Sequence, residues 1–434
     1  MALSAAMASW IGVTLLAGSL LLLDDGQPFP GWRALPPTMG AALLIFAGEF
    51  SSACPVRMLR WRPVVVIGVL SYSAYLWHWP LFALYRYGYG EPGILAATML
   101  IAITMALAAV SYRYIEIPTR QSHATFASLV VRQLVAPASI LTAASLVVVY
   151  GERFGVPLAS SHYRFELAQL REITRPAYTF DWICQRQRLT PSELLDARCV
   201  SGKSKDAHVA VLMLGDSNAA HYVPMVREIA NEAGFSFRNI AIGSCPPLLV
   251  NAEPFVDARR IRDCRDSMKL VLTMVPRFPV LIVSASWVAY QERSPEFLDQ
   301  VEAALRDLAG QGHIVILLGR APILEGFDRR CAEKALRVPF KQCTDIPQPL
   351  STSVIELNTR LRQFAERTPN VRYFDGNDYL CPNRMCRQKG ASGLPRFFDS
   401  GHLSVSGATE LAQMILQRDG IPGPFADSAA WSAP

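Results

Sequence analysis

The stretch that decides the fold of this chain reads VAVLMLGDS, residues 209–217. Its apolar run has the length of a buried strand, and Gly215 permits a tight turn into a helix predicted over 219–233. Ser217 would then lie at the helix N-terminus, where unpaired N–H groups favour developing negative charge. Asp216 and Ser217 are also common helix caps, so this tripeptide alone leaves a purely structural role open.

Strand-like and helix-like segments alternate from this point to the C-terminus, which predicts a parallel sheet covered by helices on both faces. The predicted strands are 209–214, 237–241, 280–284, 313–318 and 371–374, and the further helices are 257–275, 296–310, 351–367 and 404–416. Ligands of such sheets bind beyond the carboxyl ends of the strands, which is where Ser217 falls.

A second motif, DSGH at 399–402, lies directly before the last predicted helix. A nucleophilic serine needs a base within reach and a third group that orients the base. We therefore predict Ser217 as nucleophile, His402 as base and Asp399 as its orienting carboxylate. The alternative is a structural role, in which Asp399 caps a turn and His402 is a surface imidazole. His221, one helical turn after Ser217, is interpreted as a partly exposed helix residue, with a place in the site as the alternative.

The first 150 residues have the composition of a membrane region. They carry 8 basic and 5 acidic side chains, against 34 and 31 in the remaining 284 residues. We predict five bilayer-spanning segments. These are 4–23, 38–54, 63–84, 94–112 and 125–150. The lipid bilayer is thus an expected partner. The net charge of +6 is modest and no basic stripe carries interleaved aromatics, so nucleic acid is not expected.

The basic residues between these segments predict an orientation. Arg57, Arg60 and Arg62 crowd one loop, and Arg113 and Arg120 flank another, whereas the alternate loops hold only Arg33 and Arg86. The positive-inside rule places the two richer loops in the cytoplasm. The fifth segment then exits outward, and everything after about residue 150 would be extracytoplasmic.

Cysteine usage points to the same compartment. Eight of the nine cysteines lie beyond residue 150, at short separations that suit disulfide bonds in an oxidising space. Because short loops close at the lowest entropic cost, we predict pairing between neighbours. The predicted pairs are 184–199, 245–264, 331–343 and 381–386. Free thiols or a zinc site are the alternatives, but no pair of matching Cys-x-x-Cys motifs is present, so no metal is expected.

Gly215-Asp216-Ser217 and Asp399-x-x-His402 resemble the first and last motifs of the SGNH hydrolase family. This resemblance implies a three-layer flavodoxin-like domain that cleaves or transfers O-linked acyl groups, with an oxyanion hole that includes the Ser217 N–H. Gly243, in IGSCPP at 242–247, best matches the family's oxyanion glycine. The family's third motif supplies an asparagine, but the matching stretch VSASW at 283–287 has none, so Asn218 is a further candidate donor.

The membrane region resembles the later helices of the acyltransferase-3 family. The similar motifs are PFPG at 28–31, SYSAYLWHWP at 71–80 and YIEIPTR at 114–120. The resemblance implies a partial acyltransferase-3 domain over 1–121, an extra transmembrane helix over 122–150, a linker over 151–207 and an SGNH domain over 208–434. It also implies O-acylation of an envelope glycan acceptor, with acyl-CoA (acetyl-CoA) as donor co-substrate and no bound cofactor.

This region departs from the family pattern because it lacks the earlier helices, including the first, which carries an arginine and a histidine that handle the donor. The chain thus resembles the C-terminal part of a longer protein, and a separate chain that supplies those helices is a possible partner. His78 is an intramembrane polar residue and a candidate for the membrane site. Its position between Trp77 and Trp79 is equally typical of a structural residue in an interfacial aromatic belt.

The sequence as a whole predicts an O-acyltransferase of the bacterial inner membrane, with the C-terminal domain in the periplasm. Ser217 would form an acyl-enzyme and pass the acyl group, expected to be acetyl, to a sugar hydroxyl. The same triad would serve a carbohydrate O-acetylesterase, in which water replaces the sugar. A catalytically idle, membrane-tethered glycan-binding subunit is the third hypothesis.

Overall fold

The structure, a computed structural model, describes residues 2–24, 31–50, 53–121, 124–151, 159–203 and 209–426. The chain divides into two units, Met1–Val156 and Pro157–Pro434. Most of the PFPG motif at 28–31 lies outside the described residues.

The N-terminal unit is helical, as its long apolar runs predict, because a helix satisfies its own backbone hydrogen bonds. Its helices are α1 (Ala2–Leu22), α2 (Leu35–Phe50), α3 (Cys54–Leu59), α4 (Arg62–Tyr89), α5 (Ile94–Ser111), α6 (Ile117–Arg120), α7 (Phe126–Val130) and α8 (Ala136–Tyr150). Single π-helical turns join α5 to α6 and α7 to α8.

Four helical stretches in the described residues are long and apolar enough to cross a membrane. They are Ser4–Leu22, α4, Ile94–Arg120 and Phe126–Tyr150. The second predicted span, 38–54, is not confirmed: α2 has 16 residues, fewer than the about 20 that cross a bilayer core. Helix α2 packs closely on α1, since an added Cβ on Gly12 would lie 2.8 Å from the Gly40 carbonyl oxygen.

The C-terminal unit is built around a seven-stranded sheet, with a small two-stranded sheet beside it. Its strands are β1 (Gln185–Arg186), β2 (Val200–Gly202), β3 (Val211–Gly215), β4 (Ser236–Ile242), β5 (Val280–Ser284), β6 (Ile314–Leu318), β7 (Gln348–Pro349), β8 (Val371–Phe374) and β9 (Met385–Cys386). Strands β3 and β5 are buried along their whole length, as strands covered on both faces must be.

The order of the main strands, β4-β3-β5-β6-β8, is the flavodoxin-like order, and these five strands pair in parallel. The helices of this unit are α9 (Ser161–Ile173), α10 (Pro191–Leu194), α11 (Ser217–Ala233), α12 (Ile261–Met274), α13 (Trp287–Arg293), α14 (Phe297–Gly310), α15 (Cys331–Ala335), α16 (Thr352–Arg367), α17 (Asn377–Leu380) and α18 (Val405–Asp419). Helices α12, α14 and α16 cover one face of the sheet, and α11 and α18 cover the other. The predicted three-layer fold is therefore confirmed.

The segment 151–207, interpreted from sequence as a linker, contributes two strands to the main sheet. Strand β1 pairs in parallel with the end of β4, and β2 pairs antiparallel with its beginning. The segment is polar, and strands of only two or three residues are too short to produce a periodic hydrophobic pattern. For these reasons the sequence indicated a linker.

The four predicted cysteine pairs are present as disulfide bonds. They are Cys184–Cys199, Cys245–Cys264, Cys331–Cys343 and Cys381–Cys386. The first disulfide lies directly before β1 and therefore helps to hold this short strand against β4. Cys54, in the N-terminal unit, is a free thiol.

Candidate active site

Ser217 is the first residue of α11, directly beyond the carboxyl end of β3. Gly215 lets β3 approach β5, because an added Cβ there would lie 1.8 Å from the Ser284 carbonyl oxygen. The buried Asp216 caps the helix by accepting the Asn218 N–H at 2.8 Å. The other oxygen of this carboxylate accepts the Ser286 N–H at 2.9 Å, which ties the turn to the end of β5.

The structure brings the three predicted triad residues together. The His402 Nε2 lies 2.8 Å from the Ser217 Oγ, although the two residues are 185 positions apart. The His402 Nδ1 lies 2.9 and 3.0 Å from the two carboxylate oxygens of Asp399. A carboxylate at Nδ1 fixes the proton there, so Nε2 can accept the proton of the Ser217 hydroxyl.

The Asp399 carboxylate is held by its own loop. One oxygen accepts the N–H groups of Gly401 and His402, both at 2.9 Å. Burial alone would raise the pKa of Asp399, but the hydrogen bond and charge of His402, with these two N–H groups, lower it below the ordinary value of 3.8. Asp399 is therefore ionised at neutral pH and can stabilise a positive His402.

The three predicted oxyanion donors differ in the hydrogen bonds that they already make. In the described structure, no acceptor faces the Ser217 N–H, as expected for the first turn of a helix. The Gly243 N–H, which the family resemblance assigned to the oxyanion hole, donates instead to the carbonyl of Arg186 in β1 at 2.8 Å.

Asn218 also has other partners. It is buried, its N–H donates to Asp216 and its side-chain amide donates to the Ser286 hydroxyl at 2.5 Å. The Gly243 N–H and one of the two N–H groups of the Asn218 amide are therefore hydrogen-bonded inside the domain, and the role of both residues in an oxyanion hole stays a prediction.

Arg320 is a buried site residue that the sequence analysis missed. Its guanidinium donates to the Asn218 side-chain oxygen and, at 2.9 Å, to the Gly401 carbonyl. It therefore connects the residue after Ser217 with the loop that carries His402. Burial lowers the pKa of this guanidinium. The sequence did offer a signal for Arg320: it is a charged residue two positions after the predicted strand 313–318, and ligands of such sheets bind beyond the strand ends.

A small cleft of about 70 Å³ opens over the triad. Gln185, a residue of β1 with an amide side chain, lines it together with Ser217 and His402. In the described part of the chain, this side-chain amide has no hydrogen-bond partner. Sequence reasoning could not find Gln185, since it lies in the segment taken as a linker.

His221 also lines the cleft, and it is buried instead of partly exposed. Its ring meets that of His402 edge to face, with centroids 5.7 Å apart. Neither of its ring nitrogens has a hydrogen-bond partner among the described residues. Burial lowers the pKa of His221 well below 6.5, and His402 and Arg320 lower it further. This neutral ring therefore packs beneath the base without adding a second charge.

The N-terminal unit holds the candidate His78 on α4. The Nδ1 of this histidine lies 2.7 Å from the Tyr75 carbonyl of the preceding turn, and the described residues leave the ring exposed. Glu116 pairs with Arg120 at 2.5 Å and also accepts the Ser73 hydroxyl at 3.1 Å. A role for His78 in a membrane site stays a prediction. Across the described residues, no group of three His, Cys, Asp or Glu side chains is arranged to hold a metal.

The fold and the site define an α/β domain with a Ser–His–Asp triad at the carboxyl ends of its parallel strands. The chain belongs to the family of SGNH domains fused to AT3 domains, whose model matches residues 183–417, more than half of the chain.

One similar relative is the O-acetyltransferase OatA of Staphylococcus aureus (strain NCTC 8325 / PS 47), 36% identical over 84 residues. The matched stretch covers 19% of this chain and 14% of OatA. A solved structure, the periplasmic domain of a lipopolysaccharide acetyltransferase of Salmonella ser. Paratyphi A, is 16% identical with a TM-score of 0.44. That match covers 60% of this chain and 97% of the solved one.

Proposed function

We propose that this chain is a membrane-bound O-acyltransferase that transfers an acyl group, specifically acetyl, to a hydroxyl of a cell-envelope polysaccharide. The observation that carries the proposal is the 2.8 Å contact between His402 Nε2 and Ser217 Oγ, with Asp399 on the opposite ring nitrogen. The family membership and the O-acetyltransferase OatA among the relatives support acyl transfer as the reaction.

The reaction proceeds in two halves. In the first, Ser217 Oγ attacks the acyl carbonyl, His402 takes the hydroxyl proton, and the developing oxyanion is stabilised by the Ser217 N–H. His402 then gives the proton to the leaving group, which leaves an acyl ester on Ser217. In the second half, His402 deprotonates the sugar hydroxyl, which attacks this ester and releases free Ser217. Water in place of the sugar would make the chain an O-acetylesterase.

The apolar helices would carry the acyl group from a cytoplasmic donor, acetyl-CoA, to Ser217 across the bacterial inner membrane. Four stretches long enough to span a membrane and four disulfides in the C-terminal unit support a membrane protein whose triad faces the oxidising periplasm. In this proposal His78 belongs to the donor path, and a separate chain supplies any further helices that the path requires.

The test uses the full chain in lipid nanodiscs with 4-nitrophenyl acetate as acyl donor, with and without envelope glycan fragments. We expect Ser217→Ala to lose about 10³-fold or more of the wild-type rate, since it removes the nucleophile. The exposed Ser353→Ala on α16 is the matched control and should keep the full rate.

The products decide between the hypotheses. A glycan ester identified by mass spectrometry supports transfer, whereas acetate alone in the presence of every acceptor supports the esterase. Equal rates for the wild type and Ser217→Ala would contradict both and favour a glycan-binding subunit.

A further inference from the structure

We propose that a second cavity beside the triad binds the acceptor sugar and favours a sugar that carries a negative charge; this inference deepens the proposed function and rests on it. The cavity, here called the acceptor cavity, has a volume of about 330 Å³. It lies between the end of α9, the chain from Gly326 to Gln348 around the Cys331–Cys343 disulfide, and the turn at Gln388 and Lys389.

The acceptor cavity is joined to the triad through one aromatic residue. Phe398 lines the cleft over Ser217, and its N–H donates to the His402 carbonyl at 2.8 Å. The guanidinium of Arg329, which lines the acceptor cavity, lies 5.3 Å above the Phe398 ring. A ligand in the acceptor cavity would therefore rest against the wall of the catalytic cleft.

A backbone contact strengthens this connection. The Leu324 N–H donates to the Ser400 carbonyl at 2.7 Å, within the loop that carries Asp399 and His402. The chain that forms the cavity wall begins at Gly326, two residues further on. This hydrogen bond therefore ties the cavity wall to the loop that carries His402.

Size separates the roles of the two spaces. The cleft over the triad, at about 70 Å³, is far below the about 300–1,000 Å³ of typical ligand pockets and suits a group as small as acetyl. The acceptor cavity, at about 330 Å³, falls within that range and can hold a sugar ring. Phe327, Gln342 and Gln388 are among its lining residues, and aromatic and amide side chains are types that suit a sugar ring and its hydroxyls.

The charges in the cavity favour an anion. The two acidic lining residues are already paired: Asp328 with Lys334 at 2.9 Å, and Glu333 with Arg171 at 3.6 Å. Arg329 and Lys341, which also line the cavity, have no carboxylate partner within the described residues. Lys389, the third basic lining residue, donates to a backbone carbonyl and also has no carboxylate partner within the described residues. The cavity therefore presents an excess of positive charge, which fits a carboxylate-bearing sugar such as a uronic acid.

The cavity is also preformed. The Cys331–Cys343 disulfide closes a loop that contains Lys341 and begins two residues after Arg329. The Cys343 carbonyl accepts a hydrogen bond from the Lys389 ammonium at 3.1 Å. Asp345 accepts the Gln388 N–H at 2.7 Å. A site held in this way loses less conformational entropy when it binds.

The experiment compares a uronic-acid oligosaccharide with its carboxyl-reduced, neutral counterpart, using the full chain in nanodiscs. Acceptor KM is measured with 4-nitrophenyl acetate as donor, and Kd is measured by calorimetry on Ser217→Ala, which needs no turnover. We expect Lys341→Gln and Arg329→Gln each to raise KM and Kd for the acidic acceptor about 10-fold relative to the neutral one. Arg262→Gln, an exposed cation on α12, is the matched control and should leave the acidic-to-neutral ratio unchanged.

The two readouts separate the inference from the proposed function. If the acidic sugar binds and the Lys341 and Arg329 variants weaken it selectively while no ester forms, acyl transfer fails and the binding site stands. If the wild type forms esters but does not distinguish the two acceptors, or the variants behave as Arg262→Gln does, the inference is wrong and acyl transfer stands.

Discussion

At the scale of single residues, buried polar groups link Ser217 to the loop that carries His402. Asp216 caps the nucleophile helix and binds the segment after β5, and Asn218 beside it accepts from Arg320. Arg320 in turn donates to Gly401 in the base loop. Buried groups linked in this way define one arrangement of the site, because breaking any link leaves a polar group without a partner.

Replacing Arg320 tests this chain. Arg320→Met should lower the rate of 4-nitrophenyl acetate hydrolysis about 100-fold, since a small displacement of the base is costly. It should also lower the free energy of unfolding by about 1–3 kcal/mol, because the Asn218 and Gly401 acceptors lose their donor. Arg360→Met removes a more exposed arginine that pairs with Asp299 and Glu302, and serves as control. A fully active Arg320→Met would show that the base loop holds its position without this link.

Asp399 gives a prediction with a defined pH dependence. Since the folded-state pKa of Asp399 is below 3.8, its hydrogen bonds contribute stability that is fully present above that value and is lost as the pH falls through the folded-state pKa. The difference in thermal stability between the wild type and Asp399→Asn should therefore be fully present at about pH 5 and shrink below about pH 4. Scanning calorimetry across this range measures it, and a difference that persists at about pH 3 would assign the stability to another contact.

At the scale of elements, short pieces outside the regular α/β pattern shape the site. Strand β1 has two residues, yet it supplies Gln185 to the cleft and places the Arg186 carbonyl on Gly243. So short a strand contributes few ladder hydrogen bonds, and the adjacent Cys184–Cys199 disulfide adds a covalent restraint. In the N-terminal unit, the Gly12–Gly40 contact likewise lets the short α2 pack against α1.

Removing the Cys184–Cys199 disulfide tests the dependence of β1 on it. The bond joins residues 15 positions apart, and the double variant Cys184→Ser, Cys199→Ser should lose about 3 kcal/mol of unfolding free energy. For a unit of this size the loss corresponds to a fall of about 6–12 °C in the Tm. Thermal unfolding of the full chain under oxidising conditions checks this value, with Cys54→Ser as control; an unchanged Tm would mean that the sheet alone holds β1.

At the scale of the whole molecule, the side of the membrane that the triad faces depends on the number of crossings. Five crossings from a cytoplasmic N-terminus place the C-terminal domain outside, as the arginine-rich loops predict. Four crossings would place both ends on the same side. The short helix α2, with 16 residues, is therefore the element on which the orientation depends.

Reporter fusions decide between these topologies. Alkaline phosphatase fused after Gly151 should be active, and β-galactosidase at the same site inactive, if this residue is extracytoplasmic. Fusions after Arg60, in the arginine-rich loop, should show the reverse pattern and act as the internal control. The same pattern at both sites would contradict the predicted topology and, with it, the periplasmic acceptor.

The sequence by itself determined the parallel sheet, the three residues that meet at the site and the disulfide pairs. Each has a local signature: buried apolar runs with alternating helices, one short motif at a strand end and one before the last helix, and cysteines close along the chain. Only the tertiary structure decided which donors around Ser217 are free, since Gly243 is occupied by Arg186, from a segment about 60 residues earlier. It also decided the bridging role of Arg320, the burial of His221 and the place of Gln185. These depend on contacts between segments far apart in the chain, and no local pattern encodes the partner of a hydrogen bond across such distances.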